Sequence, residues 1–221
     1  MAEKLVLLNT WWSPFAARVR IALAEKGLEY ESKEENIFDK SPVLLEMNHV
    51  HKKIPVLVHN GMPICESLII LEYIDQVWNH KSPLLPSHPY QRSQARFWAD
   101  HVDKNMYNIE RRIRMEKGEK LEAAKRELVE CLKTLEGELG DKAYFAGESI
   151  GLVDVALVPF SSWFYTYETL GNFSIEIECP NIVSWSKRCM EKGSVAKSLP
   201  DPLKVYDFAL EVNKRLGIIE H

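Results

Sequence analysis

Two places in this 221-residue chain set hydroxyl or charged side chains where a folded backbone offers free N–H groups. The first is Trp11-Trp12-Ser13-Pro14-Phe15-Ala16, where Ser13 stands just ahead of Pro14 and an apolar helical pattern. A serine there can cap the helix. Its hydroxyl can also donate to an anion, with the helix dipole adding ~0.3–1 kcal/mol at an exposed site. A thiol bound in that field would lose its proton more easily. The second place is a hairpin, entered through Lys52-Lys53-Ile54-Pro55, turned at Asn60-Gly61 and left through Glu66-Ser67. Ser67 opens a helix and can offer hydroxyl and amide to a carboxylate. Glu66 can take an ammonium group, and Lys53 with Lys40 can pair with a second carboxylate. Charges of both signs beside backbone donors suit a small zwitterionic peptide. Each residue also has a purely local reading, the serines as helix caps and the lysines as solvated surface.

Other chemistries fit less well. Dithiol redox proteins carry Cys-x-x-Cys at the turn from first strand to first helix. Here Ser13 and Ala16 occupy those places, so no disulfide can form at this site. Cys65, Cys131, Cys179 and Cys189 make no CxxC pair, which reads as a reduced, intracellular protein. The seven histidines show no metal spacing, and no metal is expected. With 28 basic and 32 acidic residues the formal charge is −4, so no basic field points to nucleic acid. The start MAEKLVLLNT lacks the features of a secretory signal, and no apolar run approaches the ~20 residues that span a bilayer.

The elements that must position these residues follow from pattern. Lys4–Leu8 reads as a buried strand, Ser13–Gly27 as a helix, Glu29–Glu35 as an exposed strand and Ser41–Asn48 as a short helix. Ile54–Val58 and Met62–Cys65 flank Asn60-Gly61 as an antiparallel pair, and an apolar helix carries Leu68, Ile69, Leu71, Tyr73 and Ile74. The order β-α-β-α-β-β-α fits an α/β domain with a mixed four-stranded sheet over residues 1–79. Residues 80–89 are rich in proline and serine and read as a linker. Residues 90–221 carry only helical patterns, Tyr90–Arg114, Glu119–Leu139, Gly151–Leu170, Ile182–Lys192 and Asp201–Leu216, and predict an all-α domain. Within the third, Gly151 and Asp154 form half of a capping box, a folding signal. Taken alone, Ile54-Pro55 is expected trans, as cis accounts for only ~5–6% of X-Pro bonds.

Together Trp12-Ser13-Pro14-Phe15, Met47-Asn48, His51-Lys52-Lys53-Ile54-Pro55-Val56-Leu57, Cys65-Glu66-Ser67, Ala146-Gly147-Glu148 and Gly151-Leu152-Val153-Asp154 resemble the cytosolic glutathione transferases, most closely the plant tau class. The likeness runs over essentially the whole chain. It implies a thioredoxin-like N-terminal domain, an all-helical C-terminal domain, a cis Pro55 and a cytoplasmic homodimer. It implies conjugation of glutathione, a co-substrate rather than a cofactor, to electrophilic apolar small molecules, with peroxide reduction as a further activity. By position, Ser13 would stabilise the thiolate, Lys40 and Lys53 would hold the glycyl carboxylate, Ile54 with Pro55 would present backbone to the cysteinyl unit, and Glu66 and Ser67 would hold the γ-glutamyl end. Phe15, Tyr107, Arg111, Trp163 and Phe208 are the candidates for the electrophile pocket. The alternative is a carrier that holds apolar ligands in the same cleft without turning them over. One departure is His49, where the family usually has proline, which leaves the loop before Lys53 less constrained.

Overall fold

A computed structural model describes residues 4–218, so the Met1 start and His221 lie outside it. The N-terminal elements run β1 (Leu5–Asn9), α1 (Pro14–Glu25), β2 (Glu31–Glu34), α2 (Pro42–Met47), β3 (Val56–His59), β4 (Met62–Cys65) and α3 (Ser67–Val77). The sheet order is β2-β1-β3-β4, with β1 and β2 parallel and the other pairs antiparallel. Strand β1 is buried throughout because both its faces are covered. Leu5 and Leu7 join the core beneath α1 and α3, while Val6, Leu8 and Val56 pack with Leu44 of α2. At the outer edge, all four residues of β2 are exposed, three of them charged, which discourages pairing with another chain. The hairpin turns where expected, with Asn60 and Gly61 both at positive φ.

The chain then runs through residues 78–88 into α4 (Pro89–Met115) and α5 (Glu119–Leu139). Lys26, the last residue of α1's cap, is fully buried and anchors this connection. Its Nζ donates to Asp75 Oδ1 at 2.7 Å and to the Lys81 carbonyl at 2.6 Å. Asp75 in turn accepts from the Leu84 and Leu85 amides. The apolar side chains of Leu84 and Leu85 are thereby delivered to the common core.

The expected helix Gly151–Leu170 is three pieces: α6 (Leu152–Leu157), a 3₁₀ segment (Val158–Trp163) and α7 (Phe164–Gly171). Pro159 is the cause, since it lacks an N–H and clashes with the carbonyl four residues back. Short helices α8 (Ile175–Glu178) and α10 (Gly193–Ala196), absent from the sequence reading, flank α9 (Pro180–Met190), and α11 (Pro202–Arg215) closes the described chain. Helix α6 is buried on every side. Asp154 fixes it by accepting from the Gly151 amide, the Phe145 amide and the Trp185 indole. A serine or threonine at 151 would not fit, because an added Cβ would meet Ala146 at 2.6 Å and the Leu84 carbonyl at 3.3 Å.

Asp75→Ala strands the buried Lys26 ammonium. The expected loss is about 3–5 kcal/mol in urea-induced unfolding. A loss below about 1 kcal/mol would show that the connection is held by something else.

Candidate functional site

Ser13 and Ser67 open α1 and α3, and both helix starts face one cleft of about 500 Å³. Ser13 is 2% exposed. Its Oγ accepts from the Ala16 amide at 3.3 Å, so it does cap α1, and the hydroxyl hydrogen remains free for an acceptor in the cleft. The loop ahead of it is held by Arg20, whose guanidinium donates to the carbonyls of Thr10, Trp11 and Ser198 and to the Asn9 side chain. Burial lowers the pKa of Arg20, countered by Tyr30 and Glu34.

Ser67 does not cap its helix. Its buried Oγ accepts from Arg18 at 2.9 Å, again leaving its hydrogen for a ligand acceptor. Arg18 is completely buried. Besides Ser67 it reaches Asp103 of α4 at 2.5 Å and the Ala156 carbonyl of α6 at 2.9 Å. Its guanidinium carbon lies over the Phe15 and Phe160 rings, at 4.8 and 5.5 Å. Desolvation lowers the pKa of this guanidinium, and Asp103 opposes that shift.

Glu66, at φ +68 and ψ 120, makes the turn from β4 into α3 in a region that costs of order 1–3 kcal/mol for a non-glycine residue. Its carboxylate meets the His51 ring at the surface. Opposite, Asn48 braces the loop before Lys53, donating to the Lys53 carbonyl and accepting from the His51 amide, so the loop is tied even with histidine at 49. The Ile54-Pro55 bond is cis. Lys40, Lys53, Ile54, Pro55, Glu66 and Ser67 all line the same cleft as Ser13.

The other wall is aromatic. Phe15, Tyr107, Trp163 and Phe208 line it, joined by Trp12. Trp12 stacks on Phe208 at 4.7 Å, and Phe15 meets Tyr107 edge-on at 5.6 Å. The Trp163 indole donates to the Trp12 carbonyl, pinning the 3₁₀ segment to the Ser13 loop. Arg111 is not part of the wall. It is exposed, and Glu110 and Arg114 line the cleft instead. Asp103, Tyr107, Glu110 and Arg114 follow one another at steps of four, three and four residues along α4, which makes a single stripe. Arg111 stands about 100° round the helix from Glu110. Arg114 Nε donates to Glu110 at 2.9 Å. Burial raises the Glu110 carboxyl, against the pull of Arg114 and Arg111.

The sequence reading passed over Arg18, Asp103 and Glu110, and left Arg114 out of the pocket in favour of Arg111. A signal existed for Arg18: its helical neighbours Phe15, Ala17, Ile21 and Ala22 are apolar, so a charge on that face has to be paired. For α4 the signal was the 4-3-4 stripe.

The cysteines lie elsewhere. Burial pushes Cys131 and Cys179 up to about 11, raises Cys189 further and raises Cys65 as well. Thiolate is the reactive form, so none of the three buried thiols is poised as a nucleophile. Iodoacetamide at pH 7.5 is therefore expected to leave Cys131, Cys179 and Cys189 unmodified in the native protein and to label them in urea. Rapid native labelling of any of the three, read by peptide mass, would overturn this.

Residues 3–76 match the family described as glutathione S-transferase, N-terminal domain, and residues 88–192 match glutathione S-transferase, C-terminal domain. A probable glutathione S-transferase parA of Nicotiana tabacum is 64% identical over 98% of this chain and 99% of the relative. Glutathione S-transferase U25 of Arabidopsis thaliana is 58% identical over 99% of each. A crystal structure of a rice enzyme of this name in complex with glutathione superposes with a TM-score of 0.93 at 49% identity, covering 97% of this chain and 98% of the other. A tau class glutathione S-transferase from mango superposes with a TM-score of 0.90 at 38% identity, covering 95% and 98%.

Proposed function

The chain belongs to the glutathione S-transferase family, alongside plant tau-class relatives, and from that membership and the cleft's geometry we propose that Ser13 holds the glutathione sulfur as a thiolate for attack on apolar electrophiles seated against the aromatic wall. One observation carries the reading. The Ser13 hydroxyl is buried at a helix start, accepts from the Ala16 amide so that its hydrogen is left to donate, and lines a cleft shared with Trp12, Phe15, Trp163 and Phe208.

The magnitudes are adequate. A free thiol of this kind titrates near ~8.5, and lowering it by two units takes about 2.7 kcal/mol of preferential stabilisation of the anion. A hydrogen bond to a charged group contributes about 1.5–3 kcal/mol, and a helix N-terminus about 0.3–2 kcal/mol with burial. The thiol proton leaves to solvent, sulfur bonds to the electrophilic carbon, and the leaving group departs with its electron pair. With a peroxide the sulfur attacks oxygen, the O–O bond breaks and the alkoxide leaves as the alcohol, and a second glutathione thiol converts the resulting sulfenic acid to disulfide and water. Proximity in one cleft supplies part of the acceleration.

The remaining groups bind the tripeptide. Lys40 and Lys53 take the glycyl carboxylate, the Ile54 backbone beside cis Pro55 pairs with the cysteinyl unit, and Glu66 and Ser67 hold the γ-glutamyl end, where a ligand ammonium replaces His51 at Glu66. Ser67's internal bond to Arg18 leaves its hydrogen for that end's carboxylate. In this reading residues 1–79 bind glutathione, 80–89 connect, 90–221 contribute to the electrophile pocket, and the protein works in the cytoplasm. No helix among the described residues is long and apolar enough to cross a membrane. A carrier would use the same aromatic wall but has no need of a buried hydroxyl beside the sulfur.

Ser13→Ala is expected to lower turnover of an aryl halide by about 10- to 100-fold, the loss of one hydrogen bond to a charge. Glutathione binding should persist, and the ultraviolet midpoint of thiol ionisation in the complex should rise. Unchanged turnover removes Ser13 from the mechanism. Because Ser13 also caps α1, the variant should lose about 0.5–2 kcal/mol of stability. The reading also includes a homodimer: sedimentation should show a species of twice the 25.5 kDa chain mass, and a monomer at micromolar concentration would contradict it.

A further inference from the structure

Arg114, with its partner Glu110, fits neither a purely apolar pocket nor tripeptide binding. Only 13% of its side chain is exposed, and it lines the cleft. Its position is fixed from three directions. Nε donates to Glu110, the guanidinium carbon lies 5.3 Å from the Trp163 ring centre, and its own carbonyl accepts from the buried Asn213 side chain of α11. The two terminal amino groups make no hydrogen bond among the described residues, and an arginine's planar fork matches a carboxylate in a bidentate way. A second observation concerns the same spot. The Tyr167 hydroxyl is fully buried without a hydrogen-bond partner, and it feels the charges of both Glu110 and Arg114. The polar cluster around Arg114 is thus incompletely satisfied, which is uncommon for buried polar groups.

Building on the conjugation reading above, we propose that Arg114 is a specificity determinant of the electrophile pocket, selecting aryl electrophiles whose ring carries a carboxylate remote from the reacting carbon. The outward edge of the guanidinium takes the carboxylate, Trp163 covers its face, and Glu110 holds Nε so that the fork stays aimed into the cleft. Glu110 also tempers the site, because its charge competes with the ligand's for the same cation. The preference is therefore set by the pair, with Arg114 attracting and Glu110 restraining. Arg111, exposed on the neighbouring face of α4, takes no part.

The test compares 4-chloro-3-nitrobenzoate with 4-chloro-3-nitrobenzamide, in each of which the thiolate forms a C–S bond as the C–Cl bond breaks and chloride leaves. The quantity read is the ratio of kcat/KM for benzoate to that for benzamide. Relative to the unaltered enzyme, Arg114→Gln is expected to lower this ratio at least tenfold, mainly through KM for the benzoate. Glu110→Gln, which frees the guanidinium, is expected to raise it. Glu110→Gln with Arg114→Gln leaves no buried charge unpaired, so it reports the same fall if the single arginine variant folds poorly. Equal losses on both substrates in these variants, or a ratio unmoved by them, would assign the pair a structural role and overturn the proposal. If the unaltered enzyme turns over neither compound, the conjugation reading fails separately. The Arg114 proposal is then judged by the same ratio for binding of unreactive 4-methyl-3-nitrobenzoate and its amide, read from quenching of Trp12 and Trp163.

Discussion

A single buried cation holds the cleft in shape. Arg18 projects from α1 into the space between the two parts of the molecule, where no water reaches it. Desolvating a guanidinium costs several kcal/mol, and that cost is offset only when its donors are met. Here Nε and Nη1 reach one residue on each of three elements, Ser67 at the start of α3, Asp103 on α4 and the Ala156 carbonyl in α6, while Nη2 is buried without a partner. The fork is planar, so satisfying one partner fixes where the others must stand. The consequence is geometric. The two helix starts that face the cleft, and the long helix opposite, are set relative to one another by one side chain.

That constraint also shapes the chemistry. Ser67 gives its acceptor capacity to Arg18, and Ser13 gives its own to the Ala16 amide. Each hydroxyl is left with a hydrogen to offer, and each sits at the positive end of a helix. A serine that was free to rotate could equally accept from a ligand. These two are biased toward donating, and so toward anions. Local capping and anion binding are therefore not competing roles at Ser13, because the cap is what orients the donor.

The parts of this arrangement legible in the sequence are those governed by neighbours along the chain. Asn60-Gly61 specified the hairpin, Ser13-Pro14 and Ser41-Pro42 marked helix starts, and the Glu119–Leu139 pattern gave α5 with its observed ends. Ser13, Lys53, Glu66 and Ser67 could be singled out because turns and caps bring them close in a few residues. The illegible parts were those decided by packing. Pro159 was a local signal for the break, masked by an apolar pattern that continues through it. Nothing local reveals that Ser67 serves Arg18, 49 residues away. The choice of Arg111 over Arg114 failed for a similar reason. Both residues have helical spacing to some neighbour, and only the docking of α4 against α6, α7 and α11 decides which faces inward.

Helix α4 shows how one interaction type serves two ends. Its inward stripe carries two acids, and each meets an arginine. Asp103 meets Arg18, which is wholly enclosed and surrounded by protein partners on three elements. Two turns on, Glu110 meets Arg114, which keeps a free edge toward the cleft. In the first pair Nε and Nη1 of the arginine are engaged in holding three elements together. In the second pair only one nitrogen is engaged, so the cation retains part of its capacity for something that enters. The difference lies in how many partners each arginine meets, three for Arg18 and one for the side chain of Arg114. The same periodicity that locks the base of the cleft thus brings a partly unspent charge to its aromatic wall.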